Sequence, residues 1–180
     1  MRRIMLAVAI GLLGLPGCGT DPPTPPPLTP SPSATPSAPT APELPPEAQG
    51  SSRKAAKAFV EYYFSALSYA ANTGDTSLVT GVSNSTCESC KSVVSAVDEI
   101  YAEGGRAQGD GYGFKDGKSR PGPESRTWVV EGTLQNYPQD TWRSPNSEPE
   151  HTPASEVPVS FLVKRTAHGW EVLQWTQLGS

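Results

Sequence analysis

No basic stripe runs along these 180 residues, in which 14 Lys and Arg stand against 18 Asp and Glu for a formal charge of −4. A net acidic body lacks the cationic surface that nucleic acid or anionic lipid requires, so nucleic acid is not an expected partner. Long apolar runs are missing too. The stretch Ile4 to Leu15 falls short of the roughly 20 helical residues that span a bilayer. Cysteine numbers 3 and histidine 2; Cys87 and Cys90 have no second pair beside them, and His151 and His168 fall in expected turns, so no zinc site is complete. Gly109-x-Gly111-x-Gly113 lacks the dinucleotide spacing and a preceding strand, and Asp110 and Asp116 do not fit a calcium loop. No Ser, His and Asp set carries a nucleophile motif. No cofactor and no metal is expected.

The amino terminus is the most informative part of what is present. Arg2 and Arg3 give a positive start, Ile4 to Leu15 a short apolar segment, and Leu15-Pro16-Gly17-Cys18 a small-residue site ending in cysteine. This resembles the bacterial lipobox. The resemblance implies that residues 1–17 are a signal peptide, that the Cys18 thiol takes diacylglycerol, and that the new amino terminus is acylated, for instance with palmitate. Two acyl chains at ~0.8 kcal/mol per buried methylene hold a domain stably at a membrane. The expected location is therefore the extracytoplasmic face of the cell membrane, with the membrane itself the first partner. Losing Arg2 and Arg3 with the leader makes the mature chain more acidic still.

Residues 18–50 read as a lipidated, proline-rich, disordered linker. Positions 21–50 hold 12 of the 20 prolines, mixed with Ser, Thr and Ala and with almost nothing large enough to pack. Such a segment favours polyproline II, at ~3.1 Å per residue, and suits a spacer better than a core.

With Cys18 assigned to lipid, Cys87 and Cys90 remain as an even pair outside the cytoplasm and are expected to be bonded to each other. Ser85-Thr86-Cys87-Glu88 reads as a capping box with Ser85 as N-cap, which puts both cysteines in a first helical turn. A redox Cys-x-x-Cys is the competing reading, although no buried strand of a βαβ unit precedes it.

Residues 51–180 are enough for one core. From Ser52 to Asn72, Ala55, Phe59, Tyr62, Tyr63, Ala66, Leu67 and Ala70 recur at helical spacing, and Asn72-Thr73-Gly74 is the stop. Asp75 then caps a short helix bearing Leu78, Val79 and Val82. A third helix runs from Cys87 to about Glu103, with Val93, Val94, Val97, Ile100 and Tyr101 on one face, and Gly104-Gly105 ends it. Period two takes over in Trp128 to Leu134 and in Val157 to Val163, and Ala167-His168-Gly169 turns the latter into a hairpin with Trp170 to Trp175. Arg106 to Lys115 reads as a further glycine-rich strand and Pro138 to Pro153 as a long polar loop holding Trp142. The fold class is α+β, three N-terminal helices on a curved antiparallel sheet.

That order, with the Thr73-Gly74-Asp75-Thr76 turn, the Cys87 and Cys90 pair, the Gly104-Gly105 stop and the closing Gly169-Trp170, resembles the nuclear transport factor 2-like superfamily. More narrowly it is similar to actinobacterial lipoproteins carrying such a domain. The resemblance implies a cone-shaped fold whose concave sheet encloses a pocket, and no single activity.

Function follows from which side chains reach that pocket. An isomerase or cyclase would need an acid there, but Asp98 and Glu131 fall on solvent-facing or ambiguous faces, and Tyr62, Tyr63 and Tyr101 read as core or pocket wall. A non-catalytic binding or scaffolding module needs less. Tyr62, Tyr63, Trp128, Trp142 and Trp175 are its candidate pocket or contact residues, with Trp128 and Trp170 expected in the core and Trp142 and Trp175 expected to be exposed. The expected partner is a lipid, a wall fragment or another envelope protein. An enzyme on the same fold is the alternative, and a thiol-disulfide redox protein using Cys87 and Cys90 comes third.

Overall fold

The computed structural model describes residues 39–179, so Cys18, the signal peptide and most of the linker lie outside the described residues. Helix α1 covers Arg53–Thr73, begins where the Ser52 hydroxyl accepts from the Ala55 amide (3.2 Å), and stops at Gly74 in the left-handed region, φ 79°. Only glycine fits that stop, because a Cβ there would lie 2.6 Å from the Tyr101 ring. All seven apolar positions of the expected stripe are buried. Asp75 then accepts from the Ser77 amide at 3.0 Å and starts the short helix α2, Ser77–Gly81.

Helix α3 is Glu88–Ala102, and its start differs from the expected capping box. Cys87, not Ser85, is the N-cap, with its sulfur accepting from the Cys90 amide at 3.2 Å, and Cys87 and Cys90 form a disulfide with a Cα separation of 5.3 Å. Ahead of the cap, Asn84 closes a turn, its Oδ1 accepting from the Thr86 amide and hydroxyl at 2.9 and 2.6 Å. The segment before α3 is stitched to a strand edge through Asn84 N to Val172 O (2.9 Å) and Val172 N to Val82 O (2.8 Å).

Seven strands follow: β1 Arg106–Gly109, β2 Tyr112–Pro121, β3 Thr127–Asn136, β4 Gln139–Trp142, β5 Glu150–Thr152, β6 Ser155–Arg165 and β7 Trp170–Gln177. All pair antiparallel, as a four-stranded sheet β2-β3-β6-β7 and a three-stranded sheet β1-β4-β5. The small sheet continues the large one. Its strands β1, β4 and β5 precede or follow β2, β3 and β6 after links of two residues, so three neighbouring strands bend together at 110–111, 137–138 and 153–154. Gly111 (φ 75°), Pro138 and Pro153 occupy the bends, and Ser68 of α1 holds the first of them by accepting from the Tyr112 amide at 2.8 Å.

Two expectations are corrected by this bend. Arg106 to Lys115 is not one strand but the whole of β1 and the start of β2, in different sheets. Pro138 to Pro153 is not a loop throughout, since β4 and β5 lie within it, and Trp142 is half-buried on β4 with the Arg106 guanidinium 3.9 Å over its ring. Hairpin continuation overrides poor strand propensity there.

The proline-rich segment is ordered at its end, where it was expected to be unstructured up to residue 50. Pro46–Ala48 forms a 3-10 turn, Ala48 is buried, and the Trp170 indole donates to the Ala48 carbonyl at 2.6 Å. Arg165 donates to Gln49 O at 3.1 Å, while Pro39, Thr40 and Pro42 reach Ser68 and Asn72 near the other end of α1. Indole and guanidinium donors thus satisfy the carbonyls at the end of the 3-10 turn.

The core lies between α1 and the concave face of the large sheet. Phe59 stacks on Trp170 (5.7 Å), Tyr63 and Phe64 meet Phe161 edge-on (5.6 and 5.4 Å), and Phe161 stacks on Trp175 (5.6 Å).

Candidate functional site

Beneath the middle of α3 the core does not close. A cleft of about 220 Å³ remains, walled by Phe64, Leu67 and Ala71 of α1, by Val93, Ala96, Val97 and Ile100 of α3, and by Ala107, Tyr112, Leu134 and Trp175 of the strands. Asn136, Gln139 and Gln177 place three side-chain amides among these lining residues, at strand ends beside the bend.

Helix α3 crosses this gap pinned at both ends. At the first end, the disulfide is buried and the Ser89 hydroxyl accepts from the Trp175 amide at 3.2 Å. At the second, the Tyr101 hydroxyl donates to Ala71 O at 2.9 Å and the Tyr101 ring sits against Gly74. Between them Val97 is buried, whereas Val93 and Ile100 are only half-buried. The helix therefore acts as a bar held off the sheet, not as a fully seated layer.

No Asp, Glu, His, Lys or Arg is among the residues lining the cleft. Tyr112 is the titratable group that lines it, and burial pushes its phenol upward. Asp98 is exposed and accepts from the Thr76 hydroxyl at 3.2 Å, and Glu131 pairs with Arg120 at 3.1 Å on the surface. His151 and Asp140 pair at 2.8 Å, also exposed and on the small sheet. Among the described residues no group of three His, Cys, Asp or Glu is placed to hold a metal ion, and no helix is long and apolar enough to cross a membrane.

The candidate aromatics separate. Trp175 lines the cleft, contrary to its expected exposure. The reason is a bulge: Val163 pairs with Val172 but Leu162 with Gln174, so Leu173 is an extra residue that returns Trp175 to the inner face, over Phe161. Tyr63 is fully buried beside it, and burial raises its phenol to about 12. The Ser83 and Trp175 side chains offset part of that rise, yet neither meets the hydroxyl with hydrogen-bond geometry, and both Tyr63 Oη and Trp175 Nε1 are buried without a partner. Tyr62 is buried on α1, Trp128 is half-buried against the core, and Trp142 sits on β4; none of the three lines the cleft.

Sequence periodicity marked Leu67, Val93, Val97 and Ile100 as inward-facing but gave no means of separating a cleft wall from a filled core. Asn136, Gln139 and Gln177 carried no signal at all, since polar residues at strand ends are ordinary.

The fold defines a small α+β domain of three helices on a bent antiparallel sheet. Residues 33–176 match a family of unknown function, DUF6318, and the chain belongs to that family. No curated protein is matched. Among solved structures, the chain is similar to the intermembrane space region of the chloroplast protein ARC6, with TM-score 0.54 and 14% identity over 72% of this chain and 98% of that one. At that identity the likeness concerns the fold alone.

Proposed function

We propose that this chain is a lipoprotein, held by acyl chains on Cys18 at the extracytoplasmic face of a membrane, whose nuclear transport factor 2-like domain binds a ligand without catalysis in the cleft under α3. The carrying observation is that apolar, uncharged cleft. A close-packed interior seldom leaves such space between two well-formed layers, and an apolar hollow with a few polar groups is the usual form of a binding site. Isomerase or cyclase chemistry gains no support, because the lining offers no carboxylate or imidazole for proton transfer. Thiol exchange gains none either, because both cysteines are almost fully buried.

The anchor is tested by Cys18→Ser, which should move the product from the membrane fraction to the medium; unchanged fractionation refutes it. The cleft is tested by crosslinking and pull-down of the intact lipoprotein from its envelope, with co-purified lipids analysed by mass spectrometry. Val93→Trp, which fills the cleft from α3, should abolish recovery of the ligand. Recovery that survives a folded V93W protein places binding elsewhere.

A further inference from the structure

We infer that the cleft takes one hydrocarbon chain ending in an uncharged hydrogen-bonding head, an ester or a hydroxyl; this rests on the cleft being the binding site. Size selects a single chain. A volume of about 220 Å³ equals about seven waters at roughly 30 Å³ each, and lies below the roughly 300 Å³ at which pockets for drug-sized molecules begin. A sterol-sized fused-ring skeleton exceeds it, whereas a chain passing beneath α3 fits. The walls match a chain, with Val93, Val97 and Ile100 on one side and Leu67, Ala71 and Leu134 on the other.

The head group is selected by charge. Asn136 donates through Nδ2 to Ser155 Oγ at 2.9 Å and Gln139 through Nε2 to Thr141 Oγ1 at 3.4 Å, which orients both amides and leaves each with its oxygen as acceptor and a second N–H as donor. Gln177 adds a third, exposed amide at the end of β7. Amides pair equally with an ester or a hydroxyl. A carboxylate or an ammonium would meet no opposite charge among the lining residues, and amide hydrogen bonds offset only part of the hydration it loses.

The mature full-length chain with Cys18→Ser removes the need for detergent. Methyl octanoate, octanol, octanoate and octylammonium are titrated into it below their aggregation limits, with side-chain amides followed by nitrogen-15 NMR. Methyl octanoate and octanol are expected to shift the Asn136, Gln139 and Gln177 amides, and to bind about tenfold or more tightly than either ion. Gln177→Lys, at an exposed position where folding is not at stake, exchanges an amide for a cation and is expected to raise the affinity for octanoate relative to methyl octanoate about tenfold. Equal affinity for ester and carboxylate in the Gln177 protein, or no response to Q177K, overturns the head-group assignment. If no chain binds, while envelope recovery is still lost in folded V93W, the ligand class is wrong and the cleft stands. If recovery is also indifferent to V93W, the cleft reading falls with it.

Discussion

Tyr63→Phe tests the packing around the cleft floor most directly. The Tyr63 ring is fully buried between Phe64 (5.9 Å) and Phe161 (5.6 Å), and a phenylalanine keeps both contacts. What it removes is a hydroxyl with no hydrogen-bond partner, and burying an unpaired hydroxyl costs roughly 1–3 kcal/mol. Deleting one oxygen leaves a small void, so the net expectation at pH 7 is stabilisation by about 1 kcal/mol, or a rise in Tm of about 3–5 °C for a domain of this size. A second signature lies in pH. The folded phenol is raised to about 12 from an ordinary 10.0, so the folded state keeps its proton where the unfolded chain has lost it. Stability from this group is whole below pH 10 and falls as pH rises from 10 to 12, by an amount on the order of 2–3 kcal/mol. Y63F lacks that loss, and its advantage over the parent should widen across the window. Urea unfolding of both proteins at pH 7 and from pH 9 to 11.5 measures it, and the paired comparison cancels the Tyr62 and Tyr112 titrations, which burial also raises. A Y63F protein less stable than its parent by about 1 kcal/mol at pH 7 would show that the hydroxyl is bonded after all, to Ser83 or Trp175, and would refute the reasoning.

Three further changes probe the elements that frame the cleft. Cys87→Ser with Cys90→Ser should cost about 2 kcal/mol by loop-closure entropy and speed hydrogen exchange in the first turn of α3 while the fold persists; a global loss of structure would mean the bond does far more than pin the helix start. Gly111→Ala should cost roughly 2–4 kcal/mol in thermal unfolding, because φ is 75° and the new Cβ would lie 2.5 Å from the Ser68 side chain; a cost under about 0.5 kcal/mol would show that the bend is soft. Trp170→Phe keeps the stacking on Phe59 but leaves the Ala48 carbonyl unpaired, so about 1–2 kcal/mol should be lost and amides 48–49 should exchange faster; unchanged protection there would mean that the indole does not hold the segment.

The helical half was legible nearly residue by residue because its signals are local. Ser52 and Gly74 bracket α1 through one hydroxyl and one left-handed backbone, and its apolar stripe needs no knowledge of partners. The sheet was legible only where alternation is unbroken, as in β3 and β6. β4 and β5 are short, with Gln139, Asp140, Glu150 and His151 among their residues, and they are strands because β3 and β6 carry their pairing past the bend. Trp175 shows the same limit at one residue: period two gives the wrong face, because the bulge at Leu173, two positions earlier, is decided by the partner strand and not by β7 itself. The Cys87 cap was missed for a related reason, since its sulfur displaces Ser85 as cap only once the disulfide has fixed it over the Cys90 amide.

The cleft could not have been found from the pattern that found its walls. Periodicity identifies the side of a helix that leaves water, and Val93, Val97 and Ile100 satisfy it whether the space beyond them is filled or empty. What keeps the space open is the separation between α3 and the sheet, and that is set at its two ends, by Cys87, Cys90 and Ser89 against Trp175 and by Tyr101 against Ala71 and Gly74. Closing the gap would bury more of the half-exposed Val93 and Ile100, which favours collapse at roughly 25 cal/mol per Å², but it would also break the Tyr101 hydrogen bond or drive the ring into the α1 stop. Two end contacts therefore outweigh an apolar contact at the centre. Gly74 and the cysteine pair, read from the sequence as punctuation, and Tyr101, read as core or pocket wall, are the spacers that hold the site open.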